Sequence, residues 1–136
     1  MPKKQKLTTV KKRLWGLVSK FVRMDASDVN GFCKCVTCHT VKHYKEMQAG
    51  HFIPQAQGNA VKWDLRNIHP QCYRCNINLG GNGAEYYPYM VDQYGIDTVD
   101  ELRRLSHTTV KFTVNDLLEM ENDFKLKLEN IQDKID

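Results

Sequence analysis

The chain lacks a long hydrophobic run. No apolar stretch in its 136 residues approaches the ~20 residues needed to span a bilayer. No signal-peptide hydrophobic region follows the lysines near residue 1. Internal repeats and low-complexity tracts are also missing, which excludes repeat architectures. We therefore expect one domain with no membrane partner and a cytoplasmic location.

Acidic residues are missing from the first 24 positions, which contain eight lysines and arginines, whereas the last 40 are acidic on balance. A basic segment on a chain of net charge +4 is typical of contact with a phosphate backbone, although a solvated, frayed N-terminus is the alternative. Apolar residues recur at helical spacing from about residue 9 to 24, which predicts an amphipathic helix. Its DNA-binding candidates are Lys11, Lys12, Arg13 and Lys20.

Cysteines are few and odd in number, five in all. In a cytosolic protein they indicate thiolate ligands more often than disulfides. Two CxxC pairs, Cys35/Cys38 and Cys72/Cys75, predict a tetrahedral zinc site, with Cys33 left over. A Cys₃His site that uses His39 is the weaker alternative.

The remaining patterns predict short elements. We expect strands at 47–53 and 66–70, a loop at 55–62 and a short helix after Cys75 that ends near residue 80. Helices follow at 85–94, interrupted by Pro88, and after two capping-box patterns that start at Thr98 and Thr113. The last helix carries one apolar stripe, which either packs on the domain or forms a dimer contact: Leu117, Met120, Phe124, Leu128 and Ile131.

The residues around the second cysteine pair carry a family resemblance. His51, Asn67 and Asn76 occur in the order and approximate spacing of the HNH endonucleases. Five segments are similar in sequence to the phage NinG/Rap recombination nucleases: Cys35-Val-Thr-Cys38, Met47-Gln-Ala-Gly-His-Phe52, Arg66-Asn-Ile-His-Pro-Gln-Cys72, Arg74-Cys75-Asn76 and Leu79-Gly-Gly-Asn82. The resemblance extends from the first helix to Leu105.

This resemblance implies an α+β fold, namely a small zinc-stapled ββα-metal core (the HNH, or His-Me finger, fold) with flanking N- and C-terminal helices. Residues 1–30 would form the basic amphipathic helical arm and residues 31–96 the zinc-stapled nuclease core. Residues 97–136 would form C-terminal helices, with dimerisation as one use of the stripe.

The chemistry of phosphodiester hydrolysis explains the residue types. His51 is the candidate general base, because imidazole titrates near neutrality. Asn76 would bind Mg²⁺ or Mn²⁺ through its amide oxygen, a hard ligand suited to these ions. The resemblance assigns Asn67 to holding the loop that bears His51.

One position departs from the family. Many HNH enzymes have an aspartate before the histidine as a second metal ligand, whereas this chain has Gly50. Either Asn76 is the one direct protein ligand, or another side chain substitutes. His69 is the leading substitute, for metal or phosphate, against a structural role; Gln48 and Asn78 are weaker candidates.

Two arginines flank this segment, Arg66 and Arg74, and either bind phosphates or lie on a solvated surface. The resemblance implies a Mg²⁺-dependent endonuclease that acts on branched recombination intermediates such as Holliday junctions and D-loops, in the host bacterial cytoplasm. The alternatives are a less selective nicking enzyme and a non-catalytic zinc module that binds DNA, which the glycine at position 50 favours.

Overall fold

The structure, a computed structural model, describes residues 5–57 and 59–135 and contains both helices and strands. This confirms the predicted α+β class at the level of a small mixed domain. The elements follow in the order α1 (Leu7–Asp25), β1 (Phe32–Lys34), β2 (Val41–His43), β3 (Gln48–His51), β4 (Ile68–Gln71), α2 (Gly83–Tyr94), α3 (Ile96–Ser106) and α4 (Val114–Ile131). The strands form two separate antiparallel hairpins, β1–β2 and β3–β4.

The main core lies between the two long helices and the β3–β4 hairpin. The predicted first helix is confirmed as α1, whose apolar face is buried because its large side chains recur every three or four residues. The core cluster contains Val10, Leu14, Val18, Val22, Ala49, Trp63, Ile68, Leu117 and Phe124. The hairpin is therefore covered on one face by α1.

Helix α4 begins with the predicted capping box. The Thr113 hydroxyl accepts a hydrogen bond from the Asp116 amide, and the Asp116 carboxylate accepts one from the Thr113 amide. Leu117 and Phe124 are buried against α1, so the first half of the predicted stripe packs within the chain. A dimer contact through the rest of α4 stays a prediction.

The pairing of β3 with β4 determines on which face of the hairpin each side chain lies. Gly50 pairs with His69 and His51 with Ile68, so the two histidines lie on opposite faces of the hairpin. Strand β4 begins only at Ile68, because the preceding three residues form a 3₁₀ turn capped by Asp64. The predicted strand from residue 66 therefore begins two residues later than expected.

Three other local predictions differ from the structure. Helix α2 continues through Pro88, because Tyr86 and Met90 on either side of it are fully buried. Helix α3 starts at Ile96 after Gly95, so the Thr98 capping box is wrong. The short helix after the second cysteine pair is a π-helical turn over Arg74–Asn78.

A second core joins α2 and α3 to the loop after β3. Its buried members are Ile53, Val61, Tyr86, Met90, Val99 and Leu102. Within the described residues, no helix is long and apolar enough to cross a membrane.

Packing of α4 on α1 predicts a clear difference between two leucines of the same helix. Leu117 is fully buried, whereas Leu126 is 59% exposed. We expect Leu117→Ala to lower the free energy of unfolding by about 2–5 kcal/mol, because the lost side chain leaves a cavity. Leu126→Ala should change it by less than about 0.5 kcal/mol. Urea unfolding of both variants measures this, and equal losses would contradict the described packing.

Candidate functional site

Four cysteines meet at one point of the fold. The sulfurs of Cys35, Cys38, Cys72 and Cys75 all lie within 4.8 Å of one another, and Cys38 Sγ and Cys72 Sγ are 3.6 Å apart. Tetrahedral zinc with Zn–S bonds of about 2.3 Å separates its sulfurs by about 3.8 Å. The four thiols fit that geometry and could bind a metal such as zinc, whereas Cys33 is buried outside the cluster.

A chain of hydrogen bonds leads from this cluster towards the hairpin. The Thr37 side chain lies 3.3 Å from Cys35 Sγ, and its oxygen accepts a hydrogen bond from the Gln71 amide nitrogen at 3.1 Å. The same nitrogen donates to the Gly81 carbonyl at 2.8 Å. Because a carbonyl only accepts, these contacts fix which end of the Gln71 amide is nitrogen.

His51 ends β3 and is held from two sides. Its ring stacks on Trp15 of α1, with centroids 4.9 Å apart and planes 21° apart. Its Nε2 lies 2.9 Å from the Lys62 carbonyl, which can only accept, so Nε2 carries the proton and Nδ1 the lone pair. Burial lowers the pKa of His51 below its ordinary 6.5. The hydrogen bond to the Lys62 carbonyl opposes this effect, and the positive charge of Lys62 adds to it. The imidazole is therefore neutral near pH 7.

Asn76 shares a cleft with His51. The cleft lies between α1 and the hairpin, and its walls include Trp15, Ser19, Arg23, Gln48, His51, Gln55, Asn76 and Ile77. Asn76 Nδ2 donates to Gln48 Oε1 at 2.7 Å, so the amide oxygen of Asn76 remains available. Of the two weaker candidates, Gln48 thus orients Asn76, and Asn78 is exposed at the end of the π-helical turn.

Asn67 lies under the loop that follows His51 and is fully buried. Its Oδ1 accepts from the Ile53 amide at 2.8 Å, and its Nδ2 donates to the carbonyls of Ile53 and Val61 at 3.1 and 3.2 Å. Its backbone carbonyl accepts from the Phe52 amide. Asn67 thereby ties both ends of the loop to the start of β4.

His69 faces away from the cleft, into a tyrosine cluster on α2. The Tyr86 hydroxyl donates to the Gly50 carbonyl at 2.7 Å, so it must accept from His69 Nδ1 at 3.0 Å. The other nitrogen, Nε2, then accepts from the Tyr94 hydroxyl at 2.7 Å. Both nitrogens of His69 are thus engaged, and neither offers a lone pair to a metal in this arrangement.

The basic residues singled out in the sequence differ in their surroundings. Arg13 forms an ion pair with the buried Glu121, and Arg66 forms ion pairs with Asp64 and Glu101. The side chains of Lys12, Lys20 and Arg74 are exposed, and Lys11 is half-buried. Of the six, the two arginines in ion pairs already have structural partners.

Two residues near the cleft have no signal in the sequence. Lys62 lies over the Trp63 ring at 4.7 Å, and burial lowers the pKa of Lys62, with a smaller contribution from the positive charge of Lys11. Gln71 ends β4 directly before Cys72 and is fully buried. Neither could be found from spacing, because one lies in an irregular loop and the other reads as an ordinary strand residue.

Comparison with known proteins decides the family. A family model described as "Bacteriophage Lambda NinG protein" matches residues 2–134. The chain belongs to the NinG family. "Protein ninG" of Salmonella phage P22 is 27% identical over 122 residues, which cover 85% of this chain and 59% of the relative. "Protein ninG" of Escherichia phage lambda is 25% identical over 121 residues, 84% of this chain and 58% of the relative.

This NinG-family chain therefore spans about three fifths of the length of the relatives it matches. No solved structure matches it. The resemblance to phage NinG proteins noted in the sequence is confirmed, and it extends beyond the segment between the cysteine pairs to both outer helices.

The cysteine cluster predicts different outcomes for two cysteine substitutions. Cys38→Ser removes one of the four clustered sulfurs and should weaken zinc binding by more than about tenfold. Cys33→Ser alters a buried thiol outside the cluster and should retain the metal. Zinc content after dialysis against a competing chelator measures both. Equal zinc retention by the two variants would contradict the assignment of the ligands.

Burial of His69 predicts acid sensitivity. Burial lowers its pKa from 6.5 to about 4. The unfolded chain therefore binds more protons between these values, so the folded state loses stability as pH falls from about 6.5 to 4. We expect this residue to contribute a loss of about 2 kcal/mol between pH 7.5 and 5.

Urea unfolding at the two pH values tests this for wild type, His69→Phe and His107→Phe, all zinc-loaded. His69→Phe should show the smaller pH dependence, whereas the exposed His107 variant should match wild type. An unchanged pH dependence in His69→Phe would show that the ring is not neutral and buried.

Proposed function

We propose that the chain is a zinc-braced, Mg²⁺- or Mn²⁺-dependent DNA endonuclease of the HNH type. The observation that carries this proposal is the shared cleft of His51 and Asn76, in which His51 has a protonated Nε2 and a lone pair on Nδ1. An antiparallel hairpin, followed by the cysteine turn and the helical turn of Asn76, supports a ββα-metal arrangement for this part of the chain.

His51 acts as the general base. A carbonyl bond at Nε2 sets the tautomer and orientation of the ring, and stacking on Trp15 limits its rotation. The lowered pKa keeps Nδ1 unprotonated at neutral pH, which a base requires. Asn67 contributes by holding the loop after His51.

Asn76 holds the catalytic cation through Oδ1, the end of the amide that Gln48 leaves available. An amide oxygen is a suitable ligand for Mg²⁺ or Mn²⁺, and Mg²⁺ commonly keeps several waters. When bound, the cation supplies positive charge to the scissile phosphate and to the leaving oxygen. His69 has a positioning role instead, because it fixes Tyr86 against the Gly50 carbonyl.

Hydrolysis then proceeds as a displacement at phosphorus. A water molecule gives its proton to His51 Nδ1 while its oxygen forms a bond to phosphorus. The bond between phosphorus and the 3′ oxygen breaks, and that oxygen takes a proton from solvent. The products carry 5′-phosphate and 3′-hydroxyl ends, as the HNH resemblance implies.

DNA is the proposed partner, because exposed lysines lie along α1, which also forms one wall of the cleft. Lys11, Lys12 and Lys20 are the contacts we propose on this helix, with Arg74 beside Asn76. The NinG/Rap resemblance supports branched recombination intermediates as substrates. Coordinated cuts at a junction would require two copies of the chain, for which the outer part of α4 is the proposed contact.

Replacement of His51 tests the nuclease proposal. Zinc-loaded wild type with Mg²⁺ or Mn²⁺ should cleave supercoiled plasmid and a four-way junction, and EDTA should stop cleavage. His51→Ala should reduce the rate by about 10²- to 10⁴-fold, because the base is lost. His107→Ala, at an exposed position, should cut normally. The wild-type rate should rise as pH increases through the pKa of His51, so the midpoint of the pH profile should lie below pH 6.5.

The DNA substrates separate the alternatives. Preference for the junction over duplex supports branch recognition, and equal cleavage supports a less selective nicking enzyme. DNA binding without cleavage of any substrate by wild type, with either metal, would overturn the enzyme proposal in favour of a non-catalytic zinc module.

A further inference from the structure

Gln71 carries an unusual buried oxygen. Among the side chains that the structure describes, its Oε1 is the one buried nitrogen or oxygen atom without a hydrogen-bond partner. A buried amide oxygen without a hydrogen bond destabilises the folded chain, so such an atom calls for a partner. The amide cannot simply turn over, because its nitrogen donates to the Gly81 carbonyl and to Thr37.

The unpaired oxygen lies where an aspartate at position 50 would place its side chain. A β-carbon built on Gly50 would lie 1.8 Å from Gln71 Oε1 and 3.0 Å from Asn76 Oδ1. The two oxygens therefore cannot be farther apart than the sum of these distances. Oxygen ligands of one Mg²⁺ lie about 3–4 Å apart, and such a distance is within this upper limit.

We propose that Gln71 Oε1 is the second protein ligand of the catalytic cation, in place of the carboxylate that Gly50 lacks. This inference rests on the proposed function for the presence of the cation. Gly50 is required because any side chain at this position would collide with the Gln71 amide. The cation would then have two neutral amide oxygens as protein ligands, from Gln71 and Asn76, where an aspartate at position 50 would have given one carboxylate oxygen and one amide oxygen.

The same contacts give Gln71 a fixed position. Its amide nitrogen is held through Thr37, which lies against Cys35 Sγ, so the cysteine cluster orients this ligand as well as Asn76. A ligand held by hydrogen bonds at its far end loses little freedom when it binds a metal. A buried water is the other partner that such an oxygen can have.

Paramagnetic relaxation by Mn²⁺ tests the proposal without DNA and without activity. In zinc-loaded protein, Mn²⁺ should broaden the side-chain amide NMR signals of Gln71 and Asn76 at lower concentration than that of Gln55, an exposed residue of the cleft that Asn76 lines. Gln71→Met should raise the Mn²⁺ concentration needed to broaden the Asn76 signal by about tenfold or more. The matched control, Gln57→Met, at an exposed position that does not line this cleft, should leave it unchanged.

A ligand exchange provides the second variant. Gln71→Ala should weaken Mn²⁺ binding, and Gly50→Asp combined with Gln71→Ala should restore it, because the carboxylate takes the space of the amide. Gly50→Ala alone should also weaken binding, since its β-carbon displaces Oε1 while Gln71 remains. Zinc content and dispersed amide spectra verify folding of each variant.

Two results would overturn the proposal. One is equal broadening of Asn76 in wild type and Gln71→Met, which would leave a buried water as the partner of Oε1. The other is no preferential broadening of Asn76 and Gln71 in wild type. DNA cleavage by the same wild-type preparation reports on the nuclease proposal separately, so failure of one is distinguishable from failure of the other.

Discussion

Four thiols that meet within 4.8 Å are the constraint on which the rest of the site depends. The two cysteine pairs lie far apart in the sequence, and the β3–β4 hairpin between them has only four residues in each strand. A two-stranded hairpin of that size is marginal alone. Zinc binding would supply the missing free energy, because a metal that binds only the folded chain stabilises it. Cys72 follows β4 and Asn76 follows Cys75, so the cluster also sets the position of Asn76.

The hairpin is held on both faces by helices of different character. On one face α1 contributes aliphatic packing and the Trp15 ring that stacks on His51. On the other, α2 contributes tyrosines that engage His69 and the Gly50 carbonyl. The ring of His51, the proposed base, is therefore oriented by stacking on Trp15 and by the Lys62 carbonyl. The strand that carries it is held on its opposite face by the tyrosines of α2.

Much of this arrangement follows from the sequence because its causes are local. The period of apolar residues predicts α1, and the Thr113 capping box predicts the start of α4. The CxxC spacing predicts the thiol cluster. Strands β1 and β2 could not be predicted, because three residues are too few to show an alternation. The errors at Pro88 and Thr98 arise where burial of neighbouring side chains outweighs local preference.

The surroundings of His69 and Gln71 could not be predicted either, since they depend on contacts between distant segments. In the sequence, His69 looks like the substitute for a missing acid, whereas its ring nitrogens are engaged by Tyr86 and Tyr94. Gln71 looks like an ordinary strand residue, yet its oxygen lies against Gly50 and near Asn76. The proposed transfer of a metal ligand from position 50 of β3 to position 71 of β4 could be inferred only from the placement of both strands.

Anomalous diffraction from crystals loaded with zinc and manganese tests the proposed metal-dependent nuclease most directly, because it locates both metals in the chain. Data recorded at each absorption edge separate the two metals. We expect zinc among the four sulfurs and manganese beside Asn76 Oδ1, in the cleft that contains His51. Manganese bound at His69, or absent from the cleft, would contradict a metal-dependent nuclease site at this position.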